Sequence, residues 1–345
     1  MARNRFETAR LNAIDAAATV HRRLGIREAV RSNEVSFVDV FEAIEHIGIP
    51  LRFEPLGKAL GLCLPYPQRG ILITTQRSLH IQRFTAAHEL GHAILKHRGS
   101  VDEKVLARGG YGRDKGTDMR EIEADAFAAE FLLPKWLYTH HMRQQGWTVQ
   151  GHLQNPEIVY QLSLRMNASY EATCWGLLNN DIVGNRNFVE ALVASKVGKT
   201  KQETLQSPSM KIGRSNVWAL TIRDNGQRLV AADEDLLKLS LREHASSGYV
   251  WDISPLESPG IKLLSDEYSD VNDGDLERSV GGPVQRTLVA SLAGRGEHEI
   301  LLSERRPWET AVLPEAGFGI EVEALGAEIY GRSRAWRRRR GLAVH

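Results

Sequence analysis

The hydrophobic pattern of this 345-residue chain changes near residue 200, and the change limits the folds that the chain can adopt. Before that point apolar residues recur at helical spacing, as at Phe6, Ala13 and Val20 in residues 5–31. After residue 215, short runs alternate between apolar and polar residues and are separated by Gly, Pro, Asn and Asp. That pattern is typical of a β-sandwich or barrel. The sequence therefore predicts an α+β fold class with a helix-rich N-terminal part and a β-rich C-terminal part.

Composition excludes several classes of protein. The chain is 42% hydrophobic and 25% charged, which is typical of globular proteins and not of disordered ones. No apolar stretch approaches the roughly 18 residues of a membrane helix, and residues 1–20 lack the apolar core of a signal peptide. The chain has only two cysteines and a formal net charge of +1. We expect a cytoplasmic protein with no membrane partner and no overall basic surface for nucleic acid.

The motif His88-Glu89-Leu90-Gly91-His92 lies in the middle of a helix predicted at residues 83–96. Histidines at positions i and i+4 lie on one face of a helix, where both imidazoles can hold one zinc ion. The glutamate between them is then placed to act as the general base for a water molecule. The motif predicts a catalytic zinc site.

A catalytic zinc site needs three protein ligands. The sixth position after His92 is Arg98, which excludes the metzincin pattern, and His97 is out of step with it. Glu121 and Asp125 lie one turn apart at the start of a second predicted helix, residues 118–133. One of these carboxylates can bind zinc, and the other can accept a hydrogen bond from a ligand histidine.

The strings FTAAHELGHAILKH and EIEADAFAAEFLLP resemble those of the ImmA/IrrE peptidases, which are small gluzincins. The resemblance covers roughly residues 8–185. It implies that His88, His92 and Glu121 bind Zn2+, that Glu89 is the general base, and that Asp125 supports a ligand. It also implies an endopeptidase whose substrate is a helix-turn-helix transcriptional repressor, so that cleavage derepresses stress or anti-phage genes. Activation by DNA damage or single-stranded DNA is a further hypothesis from this family.

The two cysteines have different interpretations. Cys63 lies in a run at residues 61–64 that we predict to be a strand near the motif helix. Its thiolate could occupy the open zinc position as a latch, or the side chain could be a small buried hydrophobe. Cys174 is predicted to lie in the core.

Four residues are candidates for stabilising a tetrahedral oxyanion, and a structural role is favoured for each. They are Tyr111, Tyr138, His140 and His141.

Two segments raise the question of nucleic acid. Residues 159–183 look like a helix-turn-helix pair, but the second helix offers Glu171 and Thr173 and few basic groups, so packing or substrate contact is favoured over base reading. Residues 331–340 contain six arginines, which can neutralise phosphates or simply be solvated.

Three strings in the β-rich part resemble the loops of the chagasin-like inhibitors of papain-type cysteine peptidases, which have an immunoglobulin-like β-sandwich. They are His244-Ala245-Ser246-Ser247-Gly248-Tyr249-Val250-Trp251, then Gly281-Gly282, then Arg306-Pro307-Trp308. The resemblance covers roughly residues 216–325 and implies partner contacts at Gly248, Tyr249, Trp251, Arg306 and Trp308. The first loop of the family begins Asn-Pro-Thr-Thr-Gly, and its first two positions are replaced here.

We predict five segments from these patterns. They are a zinc metallopeptidase domain at 1–150, a helix-turn-helix-like segment at 151–194, a linker at 195–215, a chagasin-like β-sandwich at 216–330 and a basic tail at 331–345. The favoured function is a zinc endopeptidase with a regulatory β-sandwich. The alternatives are an inhibitor or adaptor that acts through the β-sandwich, and a DNA-binding regulator that uses residues 159–183.

Overall fold

The fold is α+β and divides into two compact units. The structure, a computed structural model, describes residues 2–64, 67–97, 100–102, 118–270, 282–308 and 312–342. Unit 1 comprises residues 1–140, 166–193 and 326–345, and unit 2 comprises residues 141–165 and 194–325. In the described part of the chain, no helix combines the length and the apolar character needed to cross a membrane.

Unit 1 is built mainly from helices around a small sheet. Its helices are α1 (Ala2–Leu24), α2 (Ile26–Arg31), α3 (Val40–Ile47), α4 (Leu79–Ile94), α5 (Met119–Leu132), α8 (Tyr170–Asn179), α9 (Arg186–Ala194) and α11 (Arg334–Arg339). Its strands are β1 (Leu51–Glu54), β2 (Gly61–Leu64), β3 (Gly70–Thr74) and β4 (Ser100–Asp102). Helix α6 (Lys135–Gln145) contains the boundary between the units.

The sheet of unit 1 has the strand order β1-β3-β2-β4, with β1 parallel to β3 and the other pairs antiparallel. The strand predicted at 61–64 is present as β2, and the apolar run at 70–74 forms β3, because short alternating or apolar runs bounded by Gly and Pro favour strands. Helix α3 begins at the cap Asp39, whose carboxylate accepts two backbone hydrogen bonds, and ends at Gly48 in the left-handed conformation (φ 83°). Helix α4 packs on β2 and β3 and α5 packs on α4.

The C-terminal segment, residues 326–342, belongs to unit 1. The backbone N–H and C=O of Glu328 pair with the side-chain amide of Gln82 in α4, at 2.8 and 2.9 Å. Gly331 and Phe53 exchange two backbone hydrogen bonds, so the segment adds to the free edge of β1. Part of the predicted basic tail at 331–345 therefore packs on β1 and on α3, while residues 338–342 are exposed.

Several arginines of this segment make hydrogen bonds inside unit 1. The buried carboxylate of Glu328 accepts hydrogen bonds from the backbone N–H and Nε of Arg334, at 3.2 and 3.0 Å. Ser333 is fully buried and caps α11 by accepting the N–H of Trp336. Arg332 donates to the backbone oxygen of Leu51. The formal net charge of +1 does not reveal these contacts, because positive and negative side chains cancel in the total.

Unit 2 contains two four-stranded sheets that share one hydrophobic core. Its strands are β5 (Val217–Thr221), β6 (Gln227–Ala231), β7 (Leu236–Glu243), β8 (Val250–Asp252), β9 (Ile261–Asp270), β10 (Val284–Leu292), β11 (Gly296–Arg305) and β12 (Val312–Ala324). The sheet orders are β5-β7-β10-β9 and β6-β12-β11-β8. Only the β5–β7 and β6–β12 pairs are parallel among the described strands of these sheets. The predicted β-rich part is confirmed, and the immunoglobulin-like connection stays a prediction.

The predicted linker at 195–215 is wrong, because residues 197–205 form helix α10 (Val197–Leu205) of unit 2. Thr200, Thr204 and Leu205 are buried there. Lys238 of β7 donates to the backbone oxygen of Thr204 at 2.9 Å. The segment has few large apolar residues, which favours a linker, but Leu205 and Ile212 pack in a hydrophobic core with residues of β5, β7 and β10.

The predicted helix-turn-helix segment at 151–194 is also divided. Helix α7 (Pro156–Arg165) lies in unit 2 and α8 lies in unit 1. The side-chain amide of Gln161 in α7 accepts from the N–H of Ala219 and donates to the oxygen of Val217, at 2.9 and 2.7 Å. Arg165 donates to the buried carboxylate of Asp224 at 2.8 Å. Helix α7 thus covers the free edge of β5. The helix-turn-helix interpretation of this segment stays a prediction.

We expect Gln82→Leu to detach the C-terminal segment from α4. The change leaves the backbone groups of Glu328 and the oxygen of Thr74, which also accepts from Gln82, without their partner. The free energy of unfolding, measured with urea, should fall by about 2–4 kcal/mol, and hydrogen exchange of residues 326–340 should become faster. Gln76→Leu on the exposed surface is the control. Unchanged exchange in the Gln82→Leu variant would contradict this assignment of the segment.

Candidate metal centre

Helix α4 presents His88 and His92 toward Glu121 of α5. The two Nε2 atoms lie 3.0 Å apart. The Glu121 carboxylate lies 3.4 Å from Nε2 of His88 and 3.5 Å from Nε2 of His92. The ligand atoms of these three residues all lie within 4.8 Å of one another, and they are the one such group in the part of the chain that the structure describes. The structure therefore brings together the three predicted ligands.

Two glycines permit the close packing on which this geometry depends. A Cβ atom at Gly91 would lie 3.1 Å from Cβ of Phe127 and 3.2 Å from Cα of Ala124, so the glycine lets α5 approach α4. A Cβ atom at Gly61 would lie 2.5 Å from Cγ2 of Thr85 and 2.9 Å from Oε1 of Glu89. Strand β2 therefore packs directly against the predicted general base, which is fully buried.

Asp125 lies one turn after Glu121 and contacts the first histidine. Its Oδ1 accepts a hydrogen bond from Nδ1 of His88 at 2.8 Å. This bond fixes the ring of His88 with its other nitrogen, Nε2, toward Glu121. The structure thus separates the two roles that the sequence left open for the two carboxylates.

His97 and Glu123 are part of the site, and sequence reasoning missed both. Nδ1 of His97 lies 2.9 Å from Nδ1 of His92, and its Nε2 lies 3.0 Å from Oε2 of Glu123. His97 reaches His92 because Lys96 has a left-handed backbone (φ 59°), and the N–H of His97 donates to the oxygen of His92 at 2.9 Å. Spacing along an unbroken helix gives no signal for this contact.

The surroundings of the two histidines affect their pKa values differently. Burial lowers the pKa of His88, but its hydrogen bonds to Asp125 and Glu121 outweigh burial and raise the pKa to about 10. Burial and the positive charge of His88 lower the pKa of His92 to about 4. The pKa values of the two neighbouring imidazoles are therefore shifted in opposite directions.

The residues present fit a zinc ion. Two imidazole nitrogens and one carboxylate are a donor set that zinc uses in catalytic sites, with three protein ligands and an open position. Asp125 accepts the hydrogen bond of Nδ1 of His88, so Nε2 of His88 is directed at the other two ligands, His92 and Glu121. His88, His92 and Glu121 would hold the metal.

Cys63 does not belong to the three-ligand group. It is buried in β2, and burial together with the nearby Glu89 raises the pKa of its thiol to about 12. A thiol in these surroundings matches the buried-hydrophobe interpretation better than the zinc latch.

Among the oxyanion candidates, Tyr138 is fully buried and its hydroxyl donates to the backbone oxygen of Thr173 at 3.1 Å. An oxyanion role for Tyr138, His140 or His141 stays a prediction. Tyr111 lies outside the described residues.

The predicted partner-binding loops of unit 2 divide into core and surface residues. Trp251 is buried and donates its indole N–H to the oxygen of Arg242. Trp308 is 72% exposed, and a Cβ atom at Gly248 would lie 2.7 Å from its ring. The guanidinium carbon Cζ of Arg306 lies 4.5 Å from the centre of the Tyr249 ring. Gly281 lies outside the described residues.

The loop that departs from the chagasin pattern is anchored by another interaction. The backbone N–H of His244 donates to the buried carboxylate of Glu304 at 2.6 Å, and Nδ1 of the same residue lies 3.0 Å from both carboxylate oxygens. Gly248 then turns the chain in the left-handed conformation (φ 79°). His244 therefore holds the start of this loop, although the family residue is absent.

Two protein families match separate parts of the chain. Residues 44–177 match the IrrE N-terminal-like domain, which is a peptidase family, and residues 230–322 match the chagasin family peptidase inhibitor I42. A search of curated proteins finds no significant match.

Solved structures match over 33% of this chain. The cysteine protease inhibitor EhICP2 from Entamoeba histolytica is 25% identical, with 99% of its chain covered and a TM-score of 0.29. Amebosin is 22% identical, with 100% covered and a TM-score of 0.25. PbICP-C, solved in complex with falcipain-2, is 18% identical, with 93% covered and a TM-score of 0.17.

Two separate parts of the chain thus match two families, an IrrE N-terminal-like peptidase family and a chagasin-like inhibitor family, and each match covers less than half of the chain.

Proposed function

We propose that this protein is a zinc-dependent endopeptidase that cleaves one partner protein at a specific site. The observation that carries the proposal is the meeting of His88, His92 and Glu121 beside Glu89, on two helices of a domain that matches a peptidase family. Three ligands leave one position open, as a catalytic zinc site requires.

The residues of the site divide the work of peptide hydrolysis. The chemistry that zinc supplies in such sites is polarisation of a carbonyl and activation of water, whose pKa falls toward about 7. Glu89 takes the proton of the attacking water and delivers it to the nitrogen of the leaving amine. Burial against Gly61 holds the Glu89 carboxylate in place. Asp125 keeps His88 oriented.

The substrate that we propose is a helix-turn-helix transcriptional repressor, whose cleavage derepresses stress or anti-phage defence genes. The support for this substrate is the resemblance of the motif strings to the ImmA/IrrE peptidases and the match of residues 44–177. Single-stranded DNA, produced by DNA damage, is the activating signal that we propose. The exposed arginines at 338–340 are the groups that would contact its phosphates.

Glu89→Gln should bind zinc as tightly as the wild type and lose cleavage of the repressor by at least about 100-fold, because the amide cannot accept the proton. Zinc content by mass spectrometry and cleavage by gel assay measure the two effects. Glu42→Gln in α3, remote from the site in the chain, is the control and should keep full cleavage. Full cleavage by the Glu89→Gln variant would contradict the mechanism.

Replacing Arg338, Arg339 and Arg340 together with Gln should abolish the stimulation of cleavage by single-stranded DNA and leave unstimulated cleavage unchanged. Substitution is preferable to truncation, because removing this segment also removes the buried Ser333 and Arg334. Cleavage rates with and without a single-stranded oligonucleotide, at two salt concentrations, measure the effect. Equal stimulation of wild type and variant would contradict the role of these arginines.

A second candidate function is peptidase inhibition or recruitment of a partner through unit 2. The observation that favours it is the surface cluster of Gly248, Tyr249, Arg306 and Trp308, with a largely exposed Trp308. Exposed aromatic and arginine side chains that pack on each other are typical of binding hot spots. The match of residues 230–322 to an inhibitor family supports the same function.

Trp308→Ala in the full chain should weaken binding to a papain-like cysteine peptidase by about 30-fold or more, which corresponds to the loss of roughly 2 kcal/mol of binding energy. Titration of the peptidase against a fluorogenic substrate measures this loss. Leu301→Ala, another exposed apolar residue of unit 2, is the control. A wild-type chain that leaves the peptidase fully active would contradict inhibition.

A further inference from the structure

The two candidate metal-binding histidines are held by different partners. His88 is hydrogen-bonded directly to a carboxylate, that of Asp125. His92 contacts a second imidazole, His97, which in turn contacts the carboxylate of Glu123. We propose that His97 and Glu123 form a hydrogen-bonded relay that orients His92 and directs its Nε2 toward the metal. The proposal rests on the proposed function in taking the metal to be zinc.

The carboxylate of Glu123, at the end of the relay, determines which atom donates in each hydrogen bond. A carboxylate only accepts hydrogen bonds, so Nε2 of His97 must carry the proton that it donates to Glu123. A neutral His97 then has no proton on Nδ1, which accepts from Nδ1–H of His92. His92 is therefore left with a lone pair on Nε2, the atom that lies beside Nε2 of His88 and the carboxylate of Glu121.

The position of His97 is fixed by the backbone and by burial. Helix α4 ends at Ile94, and the left-handed Lys96 turns the chain so that His97 folds back over the last turn of the helix. The side chain of His97 is 8% exposed, and Glu123 lies only two positions after the ligand Glu121. The relay thus ties the end of α4 to the same turn of α5 that supplies the third ligand.

His97 is a positioning residue in this scheme rather than a metal ligand. The group of three ligand atoms within 4.8 Å of one another does not include it, and its Nδ1 faces the outer nitrogen of His92. Loss of such an outer partner typically lowers metal affinity by 10–100-fold while the ligands themselves remain.

A matched pair of substitutions tests the relay in the full chain. In His97→Asn the side-chain oxygen, two bonds from Cβ as Nδ1 is, can still accept from His92. His97→Leu has a similar size and no acceptor. We expect His97→Leu to weaken zinc binding by about 10–100-fold in competition with a chelator, and His97→Asn to recover most of that loss. The visible spectrum of bound Co2+ should change in His97→Leu and stay close to the wild type in His97→Asn.

Coupling to Glu123 tests the second link. Glu123→Ala should weaken zinc binding in the wild-type background and have no further effect in the His97→Leu background, because the relay is already broken. His46→Leu, an exposed histidine of α3, is the control and should bind zinc normally.

Equal zinc affinity and equal Co2+ spectra for His97→Leu, His97→Asn and the wild type would overturn the relay. Equal losses in His97→Leu and His97→Asn would also overturn it, since packing alone would then explain the effect. A wild-type chain that binds no zinc would instead contradict the proposed function. These readouts do not depend on cleavage, so the two proposals can fail separately.

Discussion

Close packing of α4 on α5 decides whether the candidate ligands can meet. His88 and His92 are fixed on one face of α4 by helix geometry, but a third ligand must come from another element. Gly91 removes the side chain that would push the two helices apart, and Glu121 then reaches both imidazoles. A larger residue at position 91 must displace Phe127 or the backbone of Ala124. The glycine within the motif therefore contributes to the close approach of α4 and α5.

The same helix is held from three other directions. Strand β2 packs on Glu89 through Gly61, the C-terminal segment pairs with Gln82, and His97 folds back on His92. In the sequence, the C-terminal segment comes after unit 2, so Gln82 and Glu328 pair although they are more than 240 positions apart. The chain order is thus not the order of the units, and unit 2 lies between two parts of unit 1 in the sequence.

Periodicity predicted the local elements of this protein and missed the contacts that join distant segments. Strands β2 and β3, helix α5 and most strands of unit 2 follow from apolar spacing and from Gly, Pro and Asp at their ends. The three ligands follow from the motif and from a family resemblance. The sequence does not predict the role of Glu328, because its backbone pairs with Gln82, which lies far away in the chain and shares no local pattern with it. His97 was missed for a related reason, since its contact requires the left-handed turn at Lys96. Helix α10 has no periodic apolar face that indicates a helix, because Leu205 is its only large buried apolar residue.

The candidate metal centre concentrates negative charge around two imidazoles. Glu89, Glu121, Glu123 and Asp125 contribute four carboxylates from two helices, and Glu89 is fully buried. Without a compensating cation, carboxylates in such proximity repel one another and oppose the close approach of α4 and α5. A divalent cation at His88, His92 and Glu121 would offset part of that repulsion and bridge the two helices. Metal binding at this centre would therefore also stabilise the packing of α4 on α5.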